Sequence, residues 1–295
     1  GVVMNFGEVL TAMVTPFNED KSVNYEKAGQ LAEYLVNNGS DGLVVLGTTG
    51  EVPTLTTSEK EKLLQVVKER VGERAKIVAG TGSYSTAESI EMTKKAEEIG
   101  VDGIMLVTPY YNKPPQRALD NHFKLVAQET DLPVILYNVP SRTGRNLAPE
   151  TVAELSKVDN IVAVKEASGN VSQAIKINAL TNDSFNIYSG EDCLTLPILS
   201  IGGTGVISVA SHLVGTEIKE MVQAYKSGDV TAAQEKNVQL QPIFNAMFIT
   251  TNPIPVKAAL NMVGHKVGPV RPPLLDLEEN LKSEVKNVLK GKGLL

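Results

Sequence analysis

The sequence predicts an α/β protein: a (β/α)8 barrel, or TIM barrel, with a C-terminal helical extension. Short apolar runs recur about every 25 to 30 residues, the length of one strand–helix unit. Eight such runs alternate with segments of helical periodicity, which favours a closed barrel. An open doubly wound sheet is the alternative. Its nucleotide-binding glycine pattern is incomplete at Gly80-Thr81-Gly82, because Ser85 stands where the third glycine should be.

Each predicted strand ends at polar or turn-forming residues, and a helix follows it. The predicted strands are 9–14, 42–46, 76–79, 103–107, 134–138, 161–165, 185–189 and 205–209. The helices between them are 25–36, 57–71, 85 or 86 to 99, 115 or 116 to 129, one starting near 149, 171–180, 193–200 and 216–226.

Beyond residue 230 the pattern is purely helical, with helices predicted at about 231–250, 255–264 and 277–291. Pro242 and Pro255 are expected to interrupt these helices. The sequence therefore predicts a catalytic barrel domain, 1–230, and a helical extension, 231–295, that packs on it.

The composition argues against several functional classes. The net charge of −6 gives no electrostatic reason to expect binding to nucleic acid or to an anionic membrane surface. No apolar run approaches the roughly 20 residues that span a bilayer. Cys193 is the only cysteine, and His122, His212 and His265 are widely separated, so no disulfide and no metal site are expected. With no apparent leader, we expect a cytoplasmic protein.

The stretch Ile161-Val162-Ala163-Val164-Lys165-Glu166 carries the main chemical signal. Four apolar residues in a row are typical of a strand buried on both faces, and here they end in a lysine. In α/β enzymes the carboxyl ends of the strands carry the chemistry. An amine partly removed from water releases its proton more readily and can then attack a carbonyl carbon. An isolated lysine more often reaches solvent, so the hypothesis needs support from the other strand ends.

The other strand ends supply hydroxyl groups and one guanidinium. The residues expected at this face are Thr48, Thr49, Tyr110, Tyr111, Tyr137, Gly190 and the region of Ile207, with Arg142 after the fifth strand. A lysine nucleophile, a tyrosine that moves protons and an arginine that binds a carboxylate would suit Schiff-base chemistry. Taken singly, each has a structural explanation: a half-buried tyrosine, glycines that turn the chain, a surface arginine.

Three other charged residues are weaker candidates. Glu51 and Glu166 could be catalytic carboxylates, but structural hydrogen bonding is favoured for both. Lys257 is a rival lysine. It falls in the helical tail, away from the predicted strand ends, and ranks below Lys165.

Three motifs occur in order at these strand ends and together resemble the dihydrodipicolinate synthase family. They are Gly47-Thr48-Thr49-Gly50-Glu51, Tyr137-Asn138-Val139-Pro140-Ser141-Arg142-Thr143-Gly144 and Val164-Lys165-Glu166-Ala167. This family belongs to the pyruvate-dependent class I aldolases that include N-acetylneuraminate lyase. The resemblance covers essentially the whole chain, and it implies an enzyme of the diaminopimelate route to lysine.

The resemblance implies specific catalytic roles. Lys165 would form an imine with pyruvate, and Tyr137 would donate and accept protons. Thr48 and Tyr111 would complete a proton relay, with Tyr111 serving the neighbouring subunit of a homotetramer built as a dimer of dimers. The family requires neither a metal nor an organic cofactor.

The resemblance also implies substrate contacts. Thr49 and Ile207 match positions that bind pyruvate, Ile207 through its backbone. Arg142 matches the residue that holds the carboxylate of the second substrate, L-aspartate 4-semialdehyde. Gly190 matches a backbone position close to that substrate.

Two alternative functions stay open at this point. Aldolases of the same fold that act on sugar acids share the lysine, but sialic acid lyases generally lack the Ser141-Arg142-Thr143-Gly144 sequence. A barrel without catalytic activity, acting as a binding or regulatory protein, is the other.

Some members of the family are inhibited by lysine at a dimer interface, and the match to that site is partial. Glu88 and Tyr110 fit it. Lys60 stands where inhibited enzymes often carry histidine, and Tyr84 where they carry asparagine. A cation at Lys60 disfavours a cationic ligand, so we expect weak or absent inhibition by lysine.

Overall fold

The computed structural model describes residues 6–295, which form a closed barrel of eight parallel strands. Each strand pairs with the next, and β8 pairs with β1, so the sheet closes on itself. The strands are β1 (Val9–Ala12), β2 (Gly42–Val45), β3 (Lys76–Gly80), β4 (Gly103–Val107), β5 (Val134–Asn138), β6 (Ile161–Glu166), β7 (Asn186–Ser189) and β8 (Gly205–Ser208). The predicted (β/α)8 barrel is confirmed.

Helices surround the barrel and continue beyond it. Those of the barrel region are α1 (Tyr25–Asn37), α2 (Thr57–Val71), α3 (Thr86–Ile99), α4 (Gln116–Ala127), α5 (Pro140–Thr143), α6 (Pro149–Leu155), α7 (Val171–Leu180), α8 (Thr195–Ser200) and α9 (Ser211–Lys226). The C-terminal extension consists of α10 (Val230–Ala246), α11 (Ile254–Met262) and α12 (Glu279–Gly291).

Local sequence explains several helix ends. Before α2, the Thr56 hydroxyl accepts a bond from the Glu59 backbone N–H, and the Glu59 carboxylate accepts one from the Thr56 N–H. This reciprocal capping satisfies two backbone donors that the helix cannot pair internally. At the start of α3 the Ser85 hydroxyl accepts from the Glu88 backbone N–H, without a reciprocal bond. Gly100 ends that helix at a φ of 92°, which favours glycine.

The structure differs from the predicted elements at three places in the barrel region. No helix is predicted between the fifth strand and residue 149, but Pro140–Thr143 forms a one-turn helix that carries Arg142. The helix predicted at 193–200 is a 3₁₀ turn, Asp192–Leu194, followed by α8. Helix α9 begins at Ser211 rather than near 216. Its first turn is separated from the regular part of the helix by a break at Val214.

Pro242 lies inside α10 and does not end it, so the predicted interruption is wrong there. Leu240, Ile243 and Phe244 are buried on either side of the proline. Burial of this apolar face holds the helix together, as tertiary packing commonly overrides local propensity. Pro255 instead stands in the first turn of α11, a position that tolerates proline.

The core has two layers. One lies between the strands and the helices. The other fills the inside of the barrel with side chains from many strands, among them Leu10, Val44, Met105 and Ile207. Tyr188 is fully buried there, and its hydroxyl donates to the Gly7 carbonyl at 2.7 Å. The barrel is therefore a packed core whose open face is at the carboxyl ends of the strands.

The extension is fastened to the turn after β2 by a buried ion pair. Lys257 Nζ lies 2.7 Å from the Glu51 carboxylate, and each side chain is only 2% exposed. Lys257 also donates to the Pro269 carbonyl, and the Arg271 backbone N–H donates to Glu51. The expectation that Lys257 lies away from the strand ends is therefore wrong, while the structural role favoured for Glu51 is observed.

Within residues 6–295, none of the helices has both the length and the apolar character needed to cross a membrane.

His212 gives the fold a predicted sensitivity to acid. Its Nε2 accepts from the Val14 backbone N–H at 3.2 Å, and its Nδ1 lies 2.7 Å from the Val209 carbonyl, a pattern that requires a neutral ring. Burial lowers the pKa of His212 to about 4. In the unfolded chain this histidine has a pKa of roughly 6.5, so between pH 4 and 6.5 the unfolded state binds more protons than the folded state. The free energy of unfolding should therefore fall by up to roughly 3 kcal/mol as the pH drops through this window.

Denaturant unfolding at pH 7 and near pH 4.5 measures this effect. His212→Gln keeps an acceptor for Val14 and cannot titrate, so its stability should decline less than that of the native protein. His122, whose pKa burial also lowers to about 4, is present in both proteins and cancels in the comparison. Equal declines would contradict the role given to His212.

Candidate active site

A cavity of about 610 Å³ opens at the carboxyl ends of the strands. Its walls come from the strand ends, from α5 and from the segment around α10. Six of the predicted site residues line it together: Thr48, Thr49, Tyr137, Arg142, Lys165 and Gly190. The strand-end reasoning therefore identified one shared space.

Lys165 and Tyr137 are neighbours at the centre of this site. They are paired in register on β6 and β5, and each is 6% exposed. The Lys165 Nζ lies 4.1 Å from the centroid of the Tyr137 ring. The amine is thus held in place against an aromatic face, at the floor of a cavity large enough for a small substrate.

Gly190 allows the end of β7 to approach the lysine. A Cβ atom at this position would lie 3.2 Å from Lys165 Cγ and 2.6 Å from Ala167 Cβ. Any larger residue would clash with Ala167 and press against the side chain that carries the amine. The resemblance implies a backbone position near the second substrate for Gly190, and the close approach is a physical reason for glycine there.

The turn after β2 presents two threonines. The Gly50 N–H donates to the Gly47 carbonyl at 3.0 Å, and the Glu51 N–H donates to the Thr48 carbonyl at 2.9 Å. These bonds tighten the turn so that both threonines reach the cavity wall. Thr49 is 3% exposed, and its hydroxyl accepts from the Asn252 side-chain amide at 2.9 Å.

Asn252 joins the turn to the arginine. Its backbone carbonyl accepts from the Arg142 guanidinium at 3.2 Å, while its side chain holds Thr49. Sequence reasoning missed Asn252, because it belongs to the helical tail and more than 200 residues separate it from Thr49 along the chain. No local pattern signals a contact of that range.

Asp192 is a second residue that the sequence analysis did not single out. Its carboxylate accepts bonds from the Ser208 hydroxyl and from the backbone N–H groups of Val209 and Ala210. Burial raises the pKa of Asp192, and these bonds together with nearby Lys165 oppose that shift. The carboxylate fixes the chain just after β8 and places negative charge near the amine. The sequence signal that could have identified Asp192 is its position directly after Gly190-Glu191, at the end of a predicted strand.

Glu166 is not on the cavity wall. Its carboxylate accepts from the Asn138 side chain at 3.1 Å and from the Ser168 backbone N–H at 3.1 Å, and Gln173 also bonds to it. These contacts fix the chain beyond β6. The structural role favoured from the sequence is the one observed.

Two of the residues with an implied catalytic or substrate-binding role do not line the cavity, and Tyr110, also expected at this face, does not line it either. Tyr111 is 86% exposed and adopts a φ of 72°. Ile207 is 1% exposed and packs inside the barrel. A single chain therefore does not bring the Tyr111 side chain to the amine.

The four residues of the possible lysine site do lie around one patch. The rings of Tyr84 and Tyr110 stack with centroids 5.0 Å apart. Burial raises the pKa of Tyr110, with Tyr84 and the charge of Glu88 adding to the effect. Burial lowers the pKa of Lys60, and Glu88 opposes that shift. A cationic side chain thus belongs to this patch.

In the part of the chain that the structure describes, no three His, Cys, Asp or Glu side chains are grouped so that they could hold a metal ion.

The whole chain is similar to one enzyme family. The model of the dihydrodipicolinate synthetase family matches residues 5–292. A 4-hydroxy-tetrahydrodipicolinate synthase from a Synechococcus species is 54% identical over 292 residues, covering 99% of this chain and 95% of the relative. A protein of the same name from Desulforudis audaxviator is 53% identical over 294 residues, covering 100% of both chains. The crystal structure of DHDPS from Cyanidioschyzon merolae with lysine bound has a TM-score of 0.97 and 46% identity, covering 98% of this chain and 99% of that one.

Proposed function

The chain belongs to the dihydrodipicolinate synthetase family, and we propose that it condenses pyruvate with L-aspartate 4-semialdehyde as a 4-hydroxy-tetrahydrodipicolinate synthase. This enzyme forms a Schiff base on a lysine and serves lysine biosynthesis through the diaminopimelate route. The observation that carries the proposal is the buried Lys165 amine, 4.1 Å from the Tyr137 ring centroid and facing a cavity of about 610 Å³. The resemblance to this family that the three motifs indicate is confirmed.

Lys165 begins the reaction by attacking the keto group of pyruvate. Loss of water gives an iminium, which draws electrons from the neighbouring methyl group and lets a proton leave. The resulting enamine attacks the aldehyde carbon of the second substrate. The amino group of that substrate then displaces the lysine and closes the ring, which frees the enzyme.

Tyr137 moves protons during imine formation and breakdown, together with Thr48 and Tyr111. The position of Thr48 on the same cavity wall as Tyr137 supports its share in this relay. Tyr111 would act in the site of a neighbouring subunit. Its 86% exposure in the single chain is consistent with that role.

Thr49 and the Ile207 backbone bind pyruvate, Arg142 binds the carboxylate of the second substrate, and Gly190 lies beside that substrate. The burial of Thr49 and its bond to Asn252 support a fixed binding position. The guanidinium of Arg142 lines the cavity and suits a carboxylate, which accepts two parallel N–H bonds.

We also propose a homotetramer built as a dimer of dimers, located in the cytoplasm. Within each subunit, we assign 1–230 to the catalytic barrel, of which 1–5 lie outside the described residues, and 231–295 to its extension. Asn252 and Lys257, which bond to Thr49 and Glu51, support an extension that is part of the site rather than a separate enzyme domain. Sedimentation of the purified protein tests the assembly.

Borohydride reduction in the presence of pyruvate tests the function. A pyruvate adduct mapped to Lys165 is expected, and its absence would favour a barrel without catalytic activity. Competition between L-aspartate 4-semialdehyde and sugar-derived aldehydes then distinguishes the synthase from an aldolase that acts on sugar acids. Preference for the sugar-derived aldehydes would refute the assignment.

Arg142→Ala should lower kcat/KM for L-aspartate 4-semialdehyde by about 10- to 100-fold, the effect of losing a hydrogen bond to a charged group. Steady-state kinetics with pyruvate in excess provide the measurement. Arg142→Lys keeps the charge without the planar fork and should be intermediate. Unchanged turnover by the alanine variant would show that Arg142 does not bind the carboxylate.

Lysine at millimolar concentration should inhibit the enzyme weakly or not at all. Lys60 brings positive charge to the patch formed by Glu88, Tyr84 and Tyr110, and this charge repels the lysine side chain and amino group. Initial rates with and without lysine check the expectation. Lys60→His should increase inhibition, and clear inhibition of the native protein would contradict the prediction.

A further inference from the structure

Tyr137 and Lys165, the site pair, are each followed by a polar residue that faces the other way. Asn138 and Glu166 are partners in register on β5 and β6, as the residues of the site pair are. Because successive side chains of a strand point to opposite faces, Asn138 and Glu166 lie on the outer face of the barrel, towards the helices. Both are buried, with exposed fractions of 0% and 4%. A buried polar pair therefore stands directly behind the site pair.

The two outer side chains are hydrogen-bonded to each other across the strands. The Asn138 amide nitrogen donates to the Glu166 carboxylate at 3.1 Å, and the Asn138 amide oxygen accepts from the Leu147 backbone N–H at 2.9 Å. The bond from Leu147 fixes which end of the amide is the oxygen, so the end that faces Glu166 is the donor. Residue 166 therefore has to present an acceptor to residue 138, and an ionised carboxylate does so with either oxygen.

The Glu166 carboxylate is also the acceptor for donors from the adjoining segments. The Ser168 backbone N–H donates to it at 3.1 Å, and the Gln173 side-chain nitrogen donates at 3.3 Å to one oxygen and 3.4 Å to the other. Gln173 bonds in turn to Asn146, whose side-chain oxygen accepts from Asn138 at 2.9 Å. Burial raises the pKa of Glu166, and its hydrogen bonds oppose that shift. The anion thus holds together donors from both strand ends and from α7.

Backbone hydrogen bonds extend the same alignment to the neighbouring strand. The Ala167 N–H donates to the Asn138 carbonyl at 2.8 Å, and the Gly190 N–H donates to the Glu166 carbonyl at 2.8 Å. Neither Asn138 nor Glu166 lines the cavity. Their bond instead sets the separation of the β5 and β6 ends, and with it the separation of the amine and the ring of the site pair.

We propose that Asn138 and Glu166 are positioning residues: from behind the barrel wall, they hold the Lys165 amine against the Tyr137 ring, 4.1 Å from its centroid. This inference rests on the proposed function, in which the tyrosine exchanges protons with groups bound to the lysine. Such transfers depend on short distances, and a misplacement of about 1 Å can lower the rate on the order of 100-fold.

The readout is kcat per competent subunit. Exhaustive borohydride reduction with pyruvate counts the subunits whose Lys165 still forms an imine, and the steady-state rate is divided by that number. A variant that is only less stable has fewer competent subunits, but each of them turns over at the native rate. A displaced site pair lowers kcat within the subunits that are trapped.

Glu166→Gln keeps the size of the side chain and replaces one acceptor oxygen with a donor nitrogen. We expect kcat per trapped subunit to fall about 10-fold, the effect of losing a hydrogen bond to a charged group. Asn138→Asp places a second carboxylate opposite Glu166, and the repulsion should lower kcat per trapped subunit on the order of 100-fold. Glu166→Gln is isosteric, so it keeps the test decisive if Asn138→Asp does not fold.

Combining the two substitutions reverses the direction of the bond. A glutamine donor at 166 then faces an aspartate acceptor at 138, which still accepts from the Leu147 N–H. The double variant should therefore be at least about 10-fold more active per trapped subunit than Asn138→Asp alone, although it carries one more substitution. A double variant no more active than Asn138→Asp would overturn the proposal.

Thr93→Val is the matched control. Thr93 is fully buried, and its hydroxyl bonds to the Thr81 hydroxyl at 2.9 Å beyond the end of β3, a strand that carries neither residue of the site pair. This variant should lose stability and keep the native kcat per trapped subunit. A fall equal to that of Glu166→Gln would show that the loss of any buried bond has this effect, which would also overturn the proposal.

Failure of this inference is distinguishable from failure of the proposed function. If the native protein forms no pyruvate adduct at Lys165, the proposed function is wrong. If the native protein is trapped and turns over, but Glu166→Gln or Asn138→Asp keeps the native kcat per trapped subunit, only the positioning role is wrong.

Discussion

Replacing Lys165 with methionine is expected to lower kcat by on the order of 10⁴- to 10⁶-fold, the scale on which enzymes respond to loss of a covalent nucleophile. Methionine has a similar length and no amine, so the packing against Tyr137 is retained while no imine can form. The measurement is steady-state turnover combined with borohydride trapping, and the adduct should disappear. Lys165→Arg should be equally inactive, because a guanidinium stays protonated and is not a nucleophile.

Tyr137→Phe separates imine formation from proton transfer. The ring that packs beneath the Lys165 amine is kept, so pyruvate should still be trapped. Turnover should fall by about 10²- to 10⁴-fold, the usual contribution of a positioned acid–base group. Full activity of Tyr137→Phe would show that the tyrosine is not on the proton path.

Substantial turnover by Lys165→Met would contradict the role of Lys165 as the nucleophile.

Lys257→Met should destabilise the fold by about 3–5 kcal/mol, because it leaves the Glu51 carboxylate buried without its counter-ion. Both side chains are 2% exposed, so water does not compensate the loss. Urea unfolding followed by circular dichroism measures the change in the free energy of unfolding. Activity should also fall, since Glu51 belongs to the turn that presents Thr48 and Thr49.

Two matched variants test the cause. Lys257→Met combined with Glu51→Gln removes both charges and should recover part of the lost stability, because no unpaired ion is left. Lys282→Met breaks an exposed pair with Glu279 in α12 and should cost less than about 1 kcal/mol. A Lys257→Met protein as stable as Lys282→Met would contradict the importance of the buried pair.

Local periodicity was sufficient to predict the barrel and the central pair of the site. Each strand is a short apolar run, and Lys165 and Tyr137 end adjacent strands, so their meeting follows from the topology. The ends of helices are less predictable where tertiary packing determines them, as at Pro242 inside α10 and at the broken first turn of α9.

Contacts of long sequence separation account for what the sequence did not reveal. Asn252 bonds to Thr49, and Lys257 bonds to Glu51, across more than 200 residues. The sequence predicts Lys257 away from the strand ends, because helical periodicity does not reveal which loop a helix packs against. Tyr111 is a different case, because the role that the resemblance implies for it depends on another subunit.

The bonds from Asn252 to Thr49 and Arg142 have a consequence for synthesis on the ribosome. The threonine turn leaves the exit tunnel before Asn252, which fixes it and lies more than 200 residues further along the chain. A nascent chain can close its ring of strands once β8 has emerged, yet its binding pocket stays unfinished until the tail arrives. Catalytic competence is thus acquired only after the segment that carries Asn252 has emerged, and fragments that stop before it would be inert even where they are folded.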